Sequence, residues 1–200
     1  PIADLFVALG TSVAGAAPPP PKARWTVMVY RSGDNNLEDY VVNDLELELG
    51  ALGSNADVEI VALADRGPGY DTRRGDWQTT KLFHVTQGMQ ADAASAVADW
   101  GERNMGDEQT LVDFVSWSKA NYPADRYALV FWGHGWSWHP GWVMEDDTDA
   151  DTLDYDEVSA ALPSLGFNDV VAFDGCNMAS IEIAKQWAGH ATVLSGSACC

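Results

Sequence analysis

The chain has 200 residues, 46% of them hydrophobic, which is enough to bury one sizeable core and argues for a single globular unit. Thirty acidic against eleven basic side chains give a formal net charge of −19, a field that repels nucleic acid and anionic lipid and excludes both as partners. Such acidity reads first as a strongly solvated surface and second as a calcium-rich setting.

Residues 1–24 read as a signal-peptide remnant and a spacer. An apolar run from Leu5 to Ala17 contains Ala14-Gly15-Ala16, the small-residue form of a cleavage site, although no basic front precedes it. Pro18 to Pro21 then make a stiff extended segment that cannot enter a helix or a central strand. The folded domain is therefore expected over residues 25–200, and a secreted or cell-envelope location follows. No apolar stretch approaches the roughly 18 residues that cross a bilayer, so no integral membrane segment is expected. Cysteines at 176, 199 and 200 are too few and too badly spaced for a disulfide framework or a zinc ribbon.

Residues 25–30 (WTVMVY) form a continuous apolar run and predict a buried strand. Leu37, Val41, Leu45 and Leu49 recur at helical spacing, which predicts a helix over residues 37–52 stopped by Gly50 and Gly53. A second strand is expected at 58–63 and a more exposed one, alternating in polarity, at 77–85. An amphipathic helix over 110–120, closed by Pro123, precedes a third buried strand at 127–132 that runs into Gly133-His134-Gly135. Asp154 and Glu157 make a capping-box-like start to a helix over 154–162. A fourth buried strand at 170–173 ends at Asp174-Gly175-Cys176, followed by a helix over 181–187 and a fifth strand at 191–194. Strands alternating with helices imply an α/β fold with a mainly parallel sheet covered on both faces.

Ligands of such sheets sit at the carboxyl ends of the strands, and His134 and Cys176 each fall just past the end of a predicted buried strand. Alone, each residue type is more often structural than reactive. Together they suffice for acyl transfer: a thiolate is the nucleophile and a His protonates the departing amine. Gly135, with no side chain, can bring its N–H close to a substrate carbonyl and, with the N–H of Cys176, form an oxyanion hole.

Five segments carry a more specific signal: WTVMVYRSGDNNLE at 25–38, MGDEQTLVDF at 105–114, YPADRYALVFWGHG at 122–135, EDDTDADTLDYDEVSAAL at 145–162 and FDGCNMASIEIA at 173–184. In order and spacing they resemble the clostripain-like cysteine peptidase family. The resemblance implies a caspase-like three-layer α/β sandwich whose C-terminal part lies beyond this chain. It also implies a cysteine endopeptidase that cleaves peptides and proteins after Arg or Lys. His134 matches the family's catalytic His, Cys176 its nucleophile, and Asp174 the acidic residue associated with choosing a basic side chain. A carboxylate there can pair bidentately with a guanidinium, or simply cap backbone N–H groups at a strand end. Two departures stand out: Gly133 occupies a position where an acidic residue is common, and residues 195–200 (SGSACC) do not resemble the Ser-Glu-Glu-containing segment expected there. The rival reading is a catalytically inactive caspase-like domain that holds basic peptides.

The chemistry requires no cofactor. The acidic run from Asp146 to Glu157 nevertheless invites an EF-hand reading, since Asp147, Asp149 and Asp151 occupy positions 1, 3 and 5. The register then fails at Thr152 and Val158, where Gly and Glu are needed, so a solvated loop leading into a capped helix is expected, with calcium and a calcium-dependent surface module as the alternative. Trp136, Trp138 and Trp142 are candidates for an aromatic wall beside His134 or for a local apolar cluster. His84, His139 and His190 lack partners at metal-ligand spacing and read as surface or structural residues.

Overall fold

The computed structural model describes residues 22–138 and 143–199. The stretch expected to be a signal-peptide remnant and the proline run through Pro21 lie outside the described residues, as do His139, Trp142 and Cys200. Nine strands are named: β1 (Ala23–Arg31), β2 (Val58–Ala64), β3 (Lys81–His84), β4 (Ala98–Asp99), β5 (Ala124–Trp132), β6 (Val143–Asp146), β7 (Asp151–Leu153), β8 (Asn168–Asp174) and β9 (Ala191–Ser195). The helices are α1 (Glu38–Asn43), a π-helical turn (Asp44–Leu49), α2 (Gly50–Leu52), α3 (Glu108–Asn121), α4 (Tyr155–Leu165) and α5 (Ile181–Gln186).

Seven strands form one sheet in the order β4-β3-β2-β1-β5-β8-β9, and β6 pairs with β7 in a separate hairpin. The β2, β1, β5, β8 and β9 strands run parallel, while β3 and β4 are antiparallel to their neighbours at one edge. Alternation along β1 divides the core between two faces. Met28 and Tyr30 pack with Leu111, Phe114 and Val115 of α3 and with Val158, Ala161 and Leu162 of α4. Val29 packs on the other side with Val41, Val42 and Leu45 from α1 and the π turn. Helices thus cover both faces, as expected for a mainly parallel sheet.

The first predicted helix is not a single α-helix. Its middle widens into the π turn, in which the N–H of Gly50 donates to Leu45 O, five residues back, and a Cβ at Gly50 would lie 2.9 Å from that oxygen. The strand expected at 77–85 begins only at Lys81, because Trp77 leaves the sheet to pack its ring on Phe83 and donate Nε1 to Ala91 O. Residues 143–153 form a hairpin where a solvated loop is expected, and Asp146 within it is 1% exposed. The capping box at Asp154 forms as the sequence predicts, and α4 runs on through Pro163 to Leu165.

Candidate active site

The β5 and β8 strands lie side by side in register, Phe131 opposite Phe173 and Trp132 opposite Asp174. Phe131 stacks on Phe173 with ring centroids 5.2 Å apart, and Trp187, 1% exposed, meets both edge-on. This aromatic stack fixes the two strand ends against each other. Beyond it the chains stay joined, since the N–H of Gly133 donates to Asp174 O at 3.2 Å. Gly133 itself has φ +154°, a conformation that favours glycine over the acidic residue common at this position.

The loops that follow carry His134 and Cys176 into one open cleft of about 390 Å³, lined also by Leu37, Trp132, Asp174 and Cys199. Both candidate reactive side chains are half-buried, whereas Asp174 is exposed at the cleft wall rather than desolvated on its floor. Gly135 abuts the backbone of Cys176: a Cβ there would lie 2.5 Å from Cys176 O and 2.9 Å from Met178 Cγ. The two amide segments expected to form an oxyanion hole are therefore brought together. Beneath the cleft, Arg31 is 2% exposed, bonds Asp44 at 2.7 Å and lies 4.0 Å over the Trp132 ring. Burial lowers its pKa, while Asp44, Asp174 and Glu48 oppose the shift.

Sequence reasoning missed Asn36. Its Oδ1 lies 2.6 Å from His134 Nε2, and because an amide oxygen only accepts, that ring nitrogen carries the proton. The signal was present in the SGDNNLE text after β1, but no spacing rule links residue 36 to residue 134. Trp136 packs beside the imidazole with centroids 5.2 Å apart and is 41% exposed, which agrees with an aromatic wall more than with a buried cluster. His84 is structural, paired with Glu59 at 2.6 Å and stacked on Tyr122.

A second concentration of chemistry lies at the same end of the sheet. Among the described residues, the acidic, His and Cys groups able to share a metal ion are Asp34, Asp65, Glu102 and Asp146, each offering an oxygen within 4.8 Å of the others. Burial and then the charges of Glu102, Asp146 and Asp34 drive the Asp65 carboxyl well above the usual range. Desolvation, then Asp146, Asp34 and Asp149, raise Glu102 to about 7. Asp147 and Asp149 of the EF-hand-like register sit exposed in the hairpin turn, while Asp151 accepts from Asn104 Nδ2.

The clostripain family model matches residues 29–199. Clostripain from Hathewaya histolytica is 28% identical over 187 residues, an alignment taking 81% of this chain and 35% of that protein. A secreted C11 cysteine protease from Bacteroides thetaiotaomicron, solved with an irreversible peptide inhibitor, superposes with a TM-score of 0.71 at 25% identity, covering 84% of this chain and 47% of that one. An inactive zymogen C11 protease from Parabacteroides distasonis gives a TM-score of 0.68 at 24% identity over 90% and 49% of the two chains. The chain thus spans about a third to a half of the length of these relatives, and its sheet is the caspase-like fold they share. With the family model matching most of its length, the chain belongs to the clostripain family.

Proposed function

We propose that the protein is a secreted cysteine endopeptidase that hydrolyses peptide bonds after Arg or Lys, with His134 and Cys176 as its dyad. The observation that carries the reading is the convergence of His134, Cys176 and Asp174 on one cleft from two adjacent strand ends. Asn36 holds the proton on Nε2 of His134, which leaves Nδ1 to exchange a proton with the thiol. The Cys176 thiolate adds to the scissile carbonyl, and the N–H groups of Gly135 and Cys176 receive the oxyanion. Collapse breaks the C–N bond as the imidazolium gives its proton to the leaving amine, and a thioester remains. Water, deprotonated by His134, adds to the thioester; collapse releases the carboxylic acid and restores the thiol.

Asp174 supplies the preference for basic side chains. Exposed at the cleft wall, it gains the geometry of a bidentate pair only when a guanidinium enters. The interval from Trp136 through Gly175 contains no Lys or Arg, so a peptidase of this specificity cannot cut itself between the dyad residues.

The test is labelling with a peptidyl-Arg acyloxymethyl ketone, read by intact mass. One adduct on Cys176, lost in Cys176→Ala and in His134→Ala, is expected, together with loss of peptidyl-Arg hydrolysis in both. An adduct that persists in folded Cys176→Ala would remove the nucleophile assignment, and tight peptide binding with neither labelling nor turnover would favour the inert binding domain. Asp174→Asn should lower kcat/KM for Arg substrates by roughly 10- to 100-fold, the value of one charge-assisted hydrogen bond of about 1.5–3 kcal/mol. Unchanged selectivity for Arg over neutral residues would take Asp174 out of the pocket.

A further inference from the structure

Two cysteines share the cleft. Cys176, half-buried, follows β8, and Cys199, exposed, lies beyond the end of β9, yet both line the same hollow. The β8 and β9 strands are parallel neighbours, so their carboxyl ends deliver both segments to one side of the sheet. Beyond the strands the two chains stay in contact. Ala179 N donates to Ser197 O at 2.9 Å, and a Cβ at Gly196 would lie 3.1 Å from Met178 C and 3.2 Å from Ala179 N. Cys199 N then donates to Ser197 Oγ at 3.3 Å in a local turn.

Packing gives no reason for a cysteine at 199. The residue type is ordinarily buried, and where it is exposed its sulfur chemistry decides its use. Residues 195–200 are also where the sequence departs from the family pattern, so this thiol is a feature of the present chain. A round hollow with the cleft's volume of 390 Å³ would be about 9 Å across, and a disulfide needs Cα atoms about 4.4–6.8 Å apart, so bonding takes a shift of a few ångström. Residues 195–199 are exposed throughout and can supply that shift, while β8 holds Cys176 in place.

We propose that Cys176 and Cys199 form a redox pair: peroxide closes a disulfide across the cleft, and thiols reopen it. His134 lines the same hollow and takes the Cys176 thiol proton, so Cys176 is oxidised first. Its thiolate attacks one oxygen of hydrogen peroxide and the O–O bond breaks. The departing hydroxide takes the proton from the imidazolium and leaves as water, and Cys176 becomes a sulfenic acid. The Cys199 sulfur then attacks the sulfenic sulfur, the S–O bond breaks, and the hydroxyl leaves as water with the Cys199 proton. Two thiols have lost two protons and two electrons, and one peroxide has become two waters. Attack by an added thiol on the disulfide reverses the change by exchange.

The bond removes the sulfur that would attack a substrate and spans the hollow that Asp174 also lines. It also protects Cys176. A sulfenic acid without a partner thiol goes on to sulfinic acid, which added thiols do not reverse, whereas one captured by Cys199 returns to the thiol. The effect on turnover rests on the peptidase reading, whereas formation of the bond does not.

Reduced protein is treated with hydrogen peroxide, blocked with iodoacetamide, recovered from the monomer band of a non-reducing gel and digested with trypsin. Lys185 lies between the two cysteines, so cleavage there separates a peptide carrying Cys176 from the one that begins at Gln186. The two should appear joined, about 2 Da below the sum of the reduced peptides, and part on addition of dithiothreitol. Hydrolysis of a peptidyl-Arg amide should fall about tenfold or more and return with dithiothreitol, whereas in Cys199→Ser the same treatment should leave Cys176 as sulfinic acid and the loss permanent. Position 199 is exposed, so folding is not at stake, and Cys200→Ser should behave as the parent does. Sulfinic acid on Cys176 of the parent with no joined peptide, a joined peptide that persists in Cys199→Ser, or recovery of Cys199→Ser equal to that of the parent each overturns the proposal. Joined peptides in a protein that hydrolyses nothing when reduced count against the peptidase reading and leave the pair standing; turnover lost to peroxide with no joined peptide does the reverse.

Discussion

Gly135→Ala is the substitution whose effect follows most directly from distance. Its Cβ would lie 2.5 Å from Cys176 O and 2.9 Å from Met178 Cγ. The flexible Met178 side chain can yield, but the carbonyl belongs to the backbone that β8 delivers into the cleft, so the two loops must part. Restoring a contact of about 3.2 Å opens them by about 0.7 Å. Since a misplacement of about 1 Å between reacting groups costs on the order of 100-fold, the expected loss in kcat is about 30- to 100-fold. Overpacking adds a stability cost of about 1–3 kcal/mol, which leaves the protein folded. KM should change little, because Asp174 is on the strand and does not move. The assay is hydrolysis of a peptidyl-Arg amide beside circular dichroism and thermal denaturation. A folded variant with parental kcat would show that the His134 and Cys176 loops are not apposed as described.

Two further substitutions probe the supports of the site. Glu38 and Arg66 form an ion pair with both side chains at 0% exposure, and Glu38 also accepts from the N–H groups of Tyr70 and Asp71. Arg66→Met leaves that carboxylate buried without its cation and should cost about 3–5 kcal/mol in urea denaturation, while the double variant Arg66→Met/Glu38→Leu recovers part of the loss. A cost below about 1 kcal/mol would mean the pair is not desolvated. Asn36→Ala removes one hydrogen bond from His134, worth about 0.5–1.5 kcal/mol, so kcat should fall roughly 3- to 10-fold with Tm unchanged. An unaltered kcat would exclude Asn36 as a positioning residue.

What was legible in the sequence is what parallel-sheet architecture makes local. A buried strand followed by a short polar motif marks a strand end, and that rule put His134 and Cys176 at the carboxyl end of the sheet, while Asp174 was singled out by the family resemblance. It could not supply Asn36 or the acidic group, whose members come from different loops and share no period. The EF-hand register runs along one contiguous stretch and breaks at Thr152 and Val158; of that stretch only Asp146 joins the acidic cluster, whose other members, Asp34, Asp65 and Glu102, come from elsewhere. Acidity also hid the β6–β7 hairpin, because Asp146 and Asp151 read as solvated residues while the backbone N–H of Met105 and the Asn104 side chain bind them. Trp77 misled for the opposite reason: its alternation with Phe83 comes from packing off the sheet edge rather than from pairing within it.

The two candidate dyad residues are held by different parts of the molecule. Cys176 follows β8, whose end is locked by the Phe131, Phe173 and Trp187 rings deep in the main core. His134 follows the adjacent strand, but its ring orientation depends on Asn36, in a polar loop anchored by Asp34 on one side and by buried Glu38 on the other. Core burial is insensitive to ions, whereas a loop held by carboxylates at close quarters responds to whatever neutralises them.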